Sequence, residues 1–223
     1  MAENISTETH WEQAAKTRMG KYLTQIETQF IQNSINLSQT KTIMDVGAEA
    51  GRFSQFSKTD TTETISLDIG KYGLKRLKQI GKNTTVIQAD ARKTPIKSEV
   101  FDAILMIEVL DYIPELHQAL VECYRTLKPN ASLVLSFGNK SSLKAKLREL
   151  SGKSYQHSYH KVIQTLTETG FQVKKKTGYN WLLSGRMSED RLIPVLAKME
   201  RVFGFRKIPS LSPWVIVHAV KSD

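Results

Sequence analysis

The segment from Thr42 to Phe53 constrains the fold more than any other part of the chain. It opens with the apolar sequence TIMDV, which is typical of a strand buried on both faces of a parallel sheet. Gly47 and Gly51 follow, and glycine permits positive backbone φ angles and the close approach of a ligand to the main chain. The segment therefore predicts a strand, a glycine-containing turn and a helix that begins near Gly51 and points its unpaired N–H groups at the turn.

The spacing of the glycines narrows the class of ligand. Asp45 would stand at the carboxyl end of the strand, where open α/β sheets bind their ligands. A dinucleotide fingerprint, G-x-G-x-x-G, would require glycine at positions 49 and 52, which are occupied by Glu49 and Arg52. The pattern D-x-G-x-x-x-G thus predicts a nucleotide-type site and excludes the dinucleotide fingerprint.

Strand and helix patterns alternate without exception from Lys41 to Phe137. After the first strand, the predicted strands cover 64–68, 85–89, 101–107, 131–137, 171–177 and 214–220. The alternation predicts an α/β fold with a doubly wound, seven-stranded and mostly parallel sheet, in which the crossovers are right-handed. The stretch 178–213 is long for a loop between the last two strands, so we expect a functional insertion there.

Amphipathic stretches predict the helices that accompany these strands. Those after the first crossover are marked by residues 74–80, 114–127, 143–150 and 159–169. Phe53 and Phe56 are expected on the buried side of the first crossover helix, and Gly81 suits the C-cap of the next one.

The N-terminal residues predict a single long helix that extends the fold. Thr9 and Glu12 fit a capping box, and one apolar stripe then continues at steps of three and four until it fades near Asn33. The stripe consists of Trp11, Ala15, Met19, Tyr22, Ile26 and Phe30. We expect the helix to pack against the sheet edge or to cover the ligand site, and core packing is the favoured role of Trp11 and Tyr22.

Composition sets limits on the class of protein. The 223 residues, 40% apolar and 24% charged, suit one globular domain, and no apolar run approaches the roughly 20 residues of a membrane span. Met1 to Gln13 is polar and lacks the apolar region of a secretory signal, and Cys123 is the only cysteine, so the cytoplasm is the expected location.

The net charge is +10, with nine Lys or Arg against two Glu between 138 and 176. Such a face attracts nucleic acid, anionic membranes or acidic substrates, but a solvated lysine-rich surface is the favoured interpretation.

Taken together, these features resemble the class I S-adenosylmethionine (SAM)-dependent methyltransferases, particularly the small-molecule enzymes of the methyltransferase type 11 kind. Asp45, Gly47 and Gly51 match motif I of that family, usually D-x-G-x-G-x-G, with Glu49 in place of the middle glycine. Asp68 matches the acidic end of motif II.

Three later segments continue the resemblance. Asp90-Ala91 resembles motif III, and residues 107–113 (IEVLDYI) are similar to the family's E-V-L-E-H-V segment. Residues 122–129 (ECYRTLKP) are similar to its E-x-x-R-x-L-K-P signature, although Asn130 replaces the usual glycine after it. Asparagine tolerates the left-handed conformation, so the turn can survive this replacement.

The resemblance implies that SAM is the cofactor. Asp68 would accept the ribose hydroxyls and Asp90 would bind the adenine amine, whereas the carboxylate of Glu49 either faces the cationic ligand or weakens the site. The cofactor-binding residues are then predicted to be Asp45, Gly47, Ala48, Glu49, Gly51, Asp68, Ile69, Asp90, Ala91, Ile107 and Glu108. The predicted single domain, 1–223, divides into an N-terminal helical cap (1–38), a cofactor-binding core (41–137), and substrate-side helices and closing strands (138–223), the last two strands being an antiparallel hairpin.

Methyl transfer needs no universal catalytic base, so no motif identifies one. The candidate catalytic residues are Tyr112, His157 and His160, since histidine suits deprotonation of a hydroxyl near neutral pH, although an exposed loop role is the simpler interpretation of both histidines. Similar ubiquinone-pathway enzymes have E-V-L-E-H, whose acidic residues and histidine are proposed metal ligands. Here Asp111 and Tyr112 replace the second glutamate and the histidine, and tyrosine is a poor ligand for divalent ions, so no metal is predicted.

The preferred function is methyl transfer from SAM to a small-molecule acceptor, at oxygen. The insertion supplies apolar residues that would cover such an acceptor and arginines that would bind its carboxylate or phosphate. Alternatively, the insertion packs on the sheet or makes a homodimer contact. One alternative is an RNA or protein methyltransferase that docks through the basic 138–176 face, nucleic acid being the less favoured partner. The other is a non-catalytic methyltransferase-fold protein that binds a partner.

Overall fold

The computed structural model describes residues 8–54, 62–80, 85–149, 155–182 and 184–223. Its strands are β1 (Thr42–Val46), β2 (Glu63–Asp68), β3 (Thr85–Gln88), β4 (Phe101–Met106), β5 (Leu127–Gly138), β6 (Phe171–Tyr179) and β7 (Trp214–Lys221). Its α-helices are α1 (His10–Lys16), α2 (Arg18–Gln32), α3 (Lys71–Ile80), α4 (Leu116–Thr126), α5 (Leu143–Glu149), α6 (Tyr159–Glu168) and α7 (Ile193–Val202). Two short 3₁₀ helices cover Leu110–Tyr112 and Phe205–Lys207.

Within these ranges the seven strands form one sheet, in the order β3-β2-β1-β4-β5-β7-β6. The strands β1 to β5 pair in parallel, and β7 is antiparallel to both β5 and β6. The prediction of a doubly wound, mostly parallel, seven-stranded sheet that is closed by an antiparallel pair is therefore confirmed. The carboxyl ends of β1 to β4 meet at one edge of the sheet, where ligands bind in open α/β folds.

Two apolar layers cover the two faces of the sheet. Successive side chains of β4 point to opposite faces, so Ile104 joins the layer that includes α4 and α6, whereas Leu105 joins the layer that includes α2. Both residues are almost completely buried. The continuous apolar run of β4 is therefore explained by burial on both faces.

The N-terminal helix differs from the prediction, because two helices replace one. The capping box of Thr9 and Glu12 is present, but the chain leaves the helical conformation at Thr17, which has φ −66° and ψ 161°. The Thr17 hydroxyl accepts a hydrogen bond from the backbone N–H of Gly20 at 3.0 Å and donates to the carbonyl oxygen of Ala14 at 2.8 Å. This side chain therefore ends α1 and begins α2, a local competition that the apolar stripe alone does not reveal.

The segment after β1 also differs from the prediction. Residues 51–54 form consecutive turns where a helix was expected to begin, and the rest of that predicted helix, including Phe56, lies outside the described residues. The predicted C-cap Gly81 and the last residue of the basic helix, Leu150, lie outside them too. Asn130 has φ +61°, which confirms that asparagine adopts the left-handed conformation in the turn within β5.

The insertion between the last two strands is partly helical. β6 extends to Tyr179, and α7 then packs against α2, with the buried Glu200 accepting a hydrogen bond from the Tyr22 hydroxyl at 2.7 Å. In the described part of the chain, no helix combines the length and the apolar character needed to cross a lipid bilayer.

Candidate active site

The glycine turn after β1 is shaped by close packing as well as by its backbone conformation. Gly47 has φ +70°, and its N–H and that of Ala48 both donate to the carbonyl oxygen of Leu67, at 2.7 and 3.1 Å. A Cβ atom on Gly47 would lie 2.3 Å from Cγ2 of Val109. Glycine is therefore required at this position, and the turn is held against the end of β2.

Glu49 adopts the left-handed conformation that glycine normally provides, with φ +46°. Its backbone N–H donates to Oδ2 of Asp68 at 2.9 Å. Its carboxylate oxygen Oε2 accepts hydrogen bonds from the backbone N–H of Ala50 at 2.6 Å and from the Thr9 hydroxyl at 3.0 Å. The glutamate thus preserves the shape of the turn and adds a contact between the turn and the start of α1.

Three aspartates at successive strand ends line one cavity of about 820 Å³. Asp45 is buried and accepts a hydrogen bond from the Ser54 hydroxyl at 2.5 Å, and burial raises its pKa to about 6. Oδ1 of Asp68 accepts the N–H of Gly70 at 2.7 Å. The three carboxylates therefore border the same space, as the parallel strand order requires.

The third of these aspartates is held by a neighbouring arginine. Oδ1 of Asp90 lies 2.9 Å from Nε of Arg92, and Oδ2 lies 2.5 Å from Nη2. These hydrogen bonds lower the pKa of Asp90, so its carboxylate is ionised at neutral pH. Arg92 also contacts Glu115, at 2.5 Å, on the rim of the cavity.

The cavity is more acidic than the molecule around it. Among the described residues that line it, seven are acidic and four are basic, although the whole chain carries +10. The acidic ones are Glu12, Asp45, Glu49, Asp68, Asp90, Glu108 and Glu115, and the basic ones are Lys16, Lys21, Arg52 and Arg92. The cavity therefore favours a ligand with positive charge.

A group of buried charges forms the inner wall of the cavity beyond β4. Glu108 has φ +62°, and its backbone N–H donates to the Ser136 hydroxyl at 3.0 Å. Its carboxylate forms ion pairs with Arg52, at 3.3 Å, and with Arg186 of the insertion. Burial raises the pKa of Glu108, but the two guanidinium groups outweigh burial and leave that pKa below its ordinary value.

A second glutamate lies directly behind this group. Glu27 of α2 is fully buried, has Oε2 at 3.4 Å from Nη2 of Arg52 and accepts a hydrogen bond from the Tyr179 hydroxyl at 2.7 Å. Burial, and then the nearby charge of Glu108, raises the pKa of Glu27 to about 8. At neutral pH, Glu27 is therefore mostly protonated and Glu108 carries the negative charge.

Sequence reasoning missed this buried group of charges. Glu27 stands on the buried side of α2, four residues after Leu23 and four before Ile31, and an acidic residue inside an apolar stripe is a signal that could have found it. No comparable signal identifies Arg52 as its partner, because the pairing depends on how α2 docks on the glycine turn.

The residues predicted to bind a cofactor come together, whereas the predicted catalytic residues do not. Each of the eleven predicted cofactor-binding residues lines the cavity, and so does Tyr112. His157 is buried elsewhere, with Nε2 at 2.8 Å from the carbonyl oxygen of Ile113, and His160 is exposed in the first turn of α6. Neither histidine lines the cavity, because the helix that starts at Tyr159 packs on the face of the sheet rather than at its edge.

The E-x-x-R signature has a structural role in this chain. Glu122 accepts hydrogen bonds from the Thr94 N–H at 2.7 Å and hydroxyl at 2.6 Å, and it pairs with Arg125 at 2.6 Å. Arg125 also donates to the carbonyl oxygen of Ile96 at 2.8 Å. The pair therefore fixes the segment that follows Asp90 to α4, and so supports the rim of the cavity.

A family model of known proteins matches the part of the chain that forms most of the cavity at the carboxyl edge of the sheet. The family model described as "Methyltransferase domain" matches residues 44–135, which include β2 to β4 and most of β1 and β5. The matched segment contains the glycine turn, the three aspartates and the Glu122–Arg125 pair.

Relatives of known name are similar to the chain at low identity. A sterol methyltransferase-like protein of Botryococcus braunii is 29% identical over 115 residues, which are 48% of this chain and 29% of the relative. A ubiquinone biosynthesis O-methyltransferase of Hahella chejuensis is 27% identical over 107 residues, 45% of this chain and 44% of the relative. The chain thus spans less than half of the length of these two relatives.

Solved structures share the fold. The N-methyltransferase NodS from Bradyrhizobium japonicum, crystallised with S-adenosyl-L-homocysteine, superposes with a TM-score of 0.66 at 14% identity. The superposition covers 98% of this chain and 95% of that protein. The similarity therefore extends over the N-terminal helices and the insertion as well as the central sheet.

Proposed function

Because the chain contains a methyltransferase domain of the class I, SAM-dependent kind, we propose that it transfers a methyl group from SAM to an oxygen atom of a small-molecule acceptor. The observation that carries the proposal is the placement of Asp45, Asp68 and Asp90 around one cavity at adjacent strand ends. The names of the two relatives, a sterol methyltransferase-like protein and a ubiquinone biosynthesis O-methyltransferase, support a small-molecule acceptor.

The residues of the cavity fit SAM by charge and by size. SAM carries a sulfonium and an ammonium group, and the lining has an excess of carboxylates. The volume of about 820 Å³ lies in the range of roughly 300–1,000 Å³ that is usual for small-molecule sites. Each Asp68 oxygen accepts one backbone N–H and keeps a second lone pair that a ribose hydroxyl would use. Asp90 would bind the adenine amine with oxygens that it shares with Arg92.

The cofactor supplies a methyl group that is activated by the positive sulfur. The protein then has to align the acceptor oxygen with that methyl group and to exclude water. We assign the alignment to Glu108, which the two arginines keep ionised and which can accept a hydrogen bond from an acceptor hydroxyl. The proton of that hydroxyl would pass to Glu108 and on to solvent as the oxygen–methyl bond forms and the sulfur–methyl bond breaks. Trp11 of α1 and Tyr112 border the same space and would enclose the acceptor.

Tyr112 is better suited to the role of a hydrogen-bond donor than to the role of a base. Partial burial and the negative charges of Glu108 and Asp111 raise the pKa of Tyr112, so the phenol is protonated at neutral pH. We therefore propose that its hydroxyl donates to the acceptor. Neither histidine lines the cavity, so the proposal gives them no part in the reaction.

Binding of SAM followed by methyl transfer from labelled SAM tests the proposal. Isothermal titration should show binding of SAM, and label from the methyl group should then appear in a phenol or another hydroxyl compound from a panel of small molecules. Transfer only to RNA or to protein would instead support the alternative that uses the basic 138–176 face. Absence of SAM binding by both calorimetry and thermal shift would leave the non-catalytic alternative.

A further inference from the structure

Helix α7 has an apolar face on each side. Its inward face includes Ile193, which is 1% exposed. Its outward face continues from the residue before the helix at steps of three, four and three, through Leu192, Val195, Met199 and Val202, and these side chains are 60%, 56%, 44% and 68% exposed. An ordinary surface helix is polar on the outward side, so this second apolar stripe needs an explanation.

The exposed apolar surface continues past the end of the helix. Phe203 follows directly and is 63% exposed, and its ring lies 6.2 Å from that of Phe205, centroid to centroid. We call Leu192, Val195, Met199, Val202 and Phe203 the α7 patch. Phe205 and Ile208 extend the same apolar surface beyond the patch.

Positive charges border the α7 patch. Lys198 and Arg201 are exposed on α7 itself, and Lys207 is exposed shortly after it. The one acidic residue of the helix, Glu200, is buried and holds the guanidinium of Arg206 at 3.0 Å. The solvent-facing side of α7 is therefore apolar along the middle and cationic along the edge.

We propose that the α7 patch docks on a lipid bilayer that contains anionic headgroups. A helix with an apolar stripe and bordering Lys and Arg lies in the plane of the membrane interface, where its apolar side chains enter the acyl boundary and its cations meet the lipid phosphates. The long stems of Lys198 and Arg201 allow their charged ends to reach the headgroups while Val195, Met199 and Val202 are buried.

The charges favour a membrane over two other partners. In a symmetric contact between two copies of this chain, Lys198 and Arg201 would approach the same cations of the second copy, which is unfavourable. RNA would pair with the cations but would leave the aliphatic stripe of Leu192, Val195 and Val202 without a partner. An anionic bilayer satisfies both the apolar and the cationic parts of the surface.

The location of the α7 patch also fits the cavity. The same insertion contributes Arg186, which pairs with Glu108 in the inner wall and lies 4.9 Å from the ring of Trp11, measured from its Cζ atom. Docking would therefore attach to the bilayer the same insertion that reaches the inner wall, and an apolar acceptor dissolved in the bilayer would lie close to that segment. This link to the acceptor rests on the proposed function, whereas the docking itself does not.

Sedimentation of the full chain with lipid vesicles tests the proposal. The protein should sediment with vesicles of phosphatidylcholine and phosphatidylglycerol in equal parts, and much less with pure phosphatidylcholine. The triple substitution Val195→Ser, Met199→Ser and Val202→Ser should reduce binding at least tenfold. Lys198→Ser with Arg201→Ser should also reduce it, by about fivefold for each charge removed.

Matched controls make the result specific to the α7 patch. Val121→Ser removes an exposed valine from α4, and Lys78→Ser with Lys161→Ser removes two exposed lysines from α3 and α6. These variants should bind vesicles like the unaltered chain, and all variants should give the circular dichroism spectrum and SAM titration of the unaltered chain.

Three outcomes would overturn the proposal. The first is no sedimentation with anionic vesicles, and the second is an equal loss of binding in the controls. The third is a different partner in the absence of vesicle binding. Analytical ultracentrifugation would then show a dimer that the triple substitution disperses, or the chain would bind single-stranded RNA and lose that binding with Lys198→Ser and Arg201→Ser.

Discussion

At the scale of single residues, the site depends on two glutamates in the left-handed backbone conformation. Glu49 and Glu108 have φ angles of +46° and +62°, which cost roughly 1–3 kcal/mol each for a residue other than glycine. Each is held by its own contacts, Glu49 by Asp68 and Ala50 and Glu108 by Ser136. The strain fixes two carboxylates on the wall of one cavity, which is the usual setting for strained residues at functional sites.

The first prediction concerns Asp68, the proposed ribose ligand. Asp68→Asn keeps the shape of the side chain but removes its negative charge and replaces one acceptor oxygen with an NH2 group, so the affinity for SAM should fall roughly ten- to a hundredfold in isothermal titration. Glu63→Gln, at the opposite end of the same strand, is the control and should leave the affinity unchanged. Equal affinity in both variants would show that Asp68 does not bind the cofactor.

The second prediction concerns Glu122 and acid. Its hydrogen bonds with Arg125 lower the pKa of Glu122 from 4.5 to about 2, so this carboxylate stabilises the fold above pH 4.5 and loses that effect as the pH falls towards 2. Glu122→Gln should therefore lower the free energy of unfolding in urea at neutral pH, and the difference from the unaltered chain should shrink through that window. The exposed Glu168→Gln should show no such trend, and a difference that stays constant with pH would contradict the assignment.

The residues that could be predicted are those whose position follows from the strand order. Asp45 was found from its place at the carboxyl end of a predicted strand, and Asp68 and Asp90 from their resemblance to family motifs. The three lie together because the carboxyl ends of neighbouring parallel strands meet at one edge. The contact between Glu27 and Arg52 was not predicted, because it depends on how α2 docks on the glycine turn. The spacing of residues along the chain does not encode that docking.

At the scale of elements, the N-terminal helices connect the cavity to the insertion. The Thr17 hydroxyl oxygen, which ends α1, also lies 2.8 Å from the carbonyl oxygen of Arg186, and the N–H of Met19 donates to the carbonyl oxygen of Ser188 at 3.1 Å. The apolar stripe predicted helix from Trp11 to Phe30 correctly, but it could not reveal the break. The break depends on a threonine that meets a distant loop, and periodicity carries no information about that contact.

The third prediction tests the close packing of α1 on α2. A Cβ atom on Gly20 would lie 1.8 Å from the carbonyl oxygen of Ala14. Gly20→Ala should therefore lower the free energy of unfolding by about 1–3 kcal/mol in urea titration, although alanine is the better helix former. Gly185→Ala is the control, since no atom lies within 4 Å of its added Cβ. A stabilising effect of Gly20→Ala would mean that α1 does not pack there.

The fourth prediction tests α1 as a cover of the cavity. Glu49→Gly keeps the positive φ but removes the oxygen that binds Thr9, and Arg76→Gln removes the ion pair with Glu12, whose atoms are 3.4 Å apart. Each should raise the rate of SAM dissociation roughly two- to fivefold, because α1 would open more often.

Stopped-flow fluorescence provides the measurement, since Trp11 lines the cavity. Lys78→Gln changes an exposed residue on the same helix as Arg76 and should not alter the rate. Dissociation rates that are unchanged in both of the test variants would show that α1 does not control release.

At the scale of the whole molecule, opposite charges are separated in space. In a chain of net charge +10, the charged residues that line the cavity are mainly acidic, whereas cations lie beside the exposed apolar face of α7. The strand order was predictable because alternating strands and helices with right-handed crossovers permit few topologies. The α7 patch was not predictable from the sequence, because an outward apolar stripe can be recognised only when the inward side of the same helix is known.

The most direct test of the account is a crystal structure of the chain with S-adenosyl-L-homocysteine. We predict that the adenosine lies in the cavity at the ends of β1, β2 and β3, with its ribose hydroxyls on Asp68 and its adenine amine near Asp90. Binding of the ligand away from the three aspartates, or no binding at concentrations that saturate related methyltransferases, would contradict the account.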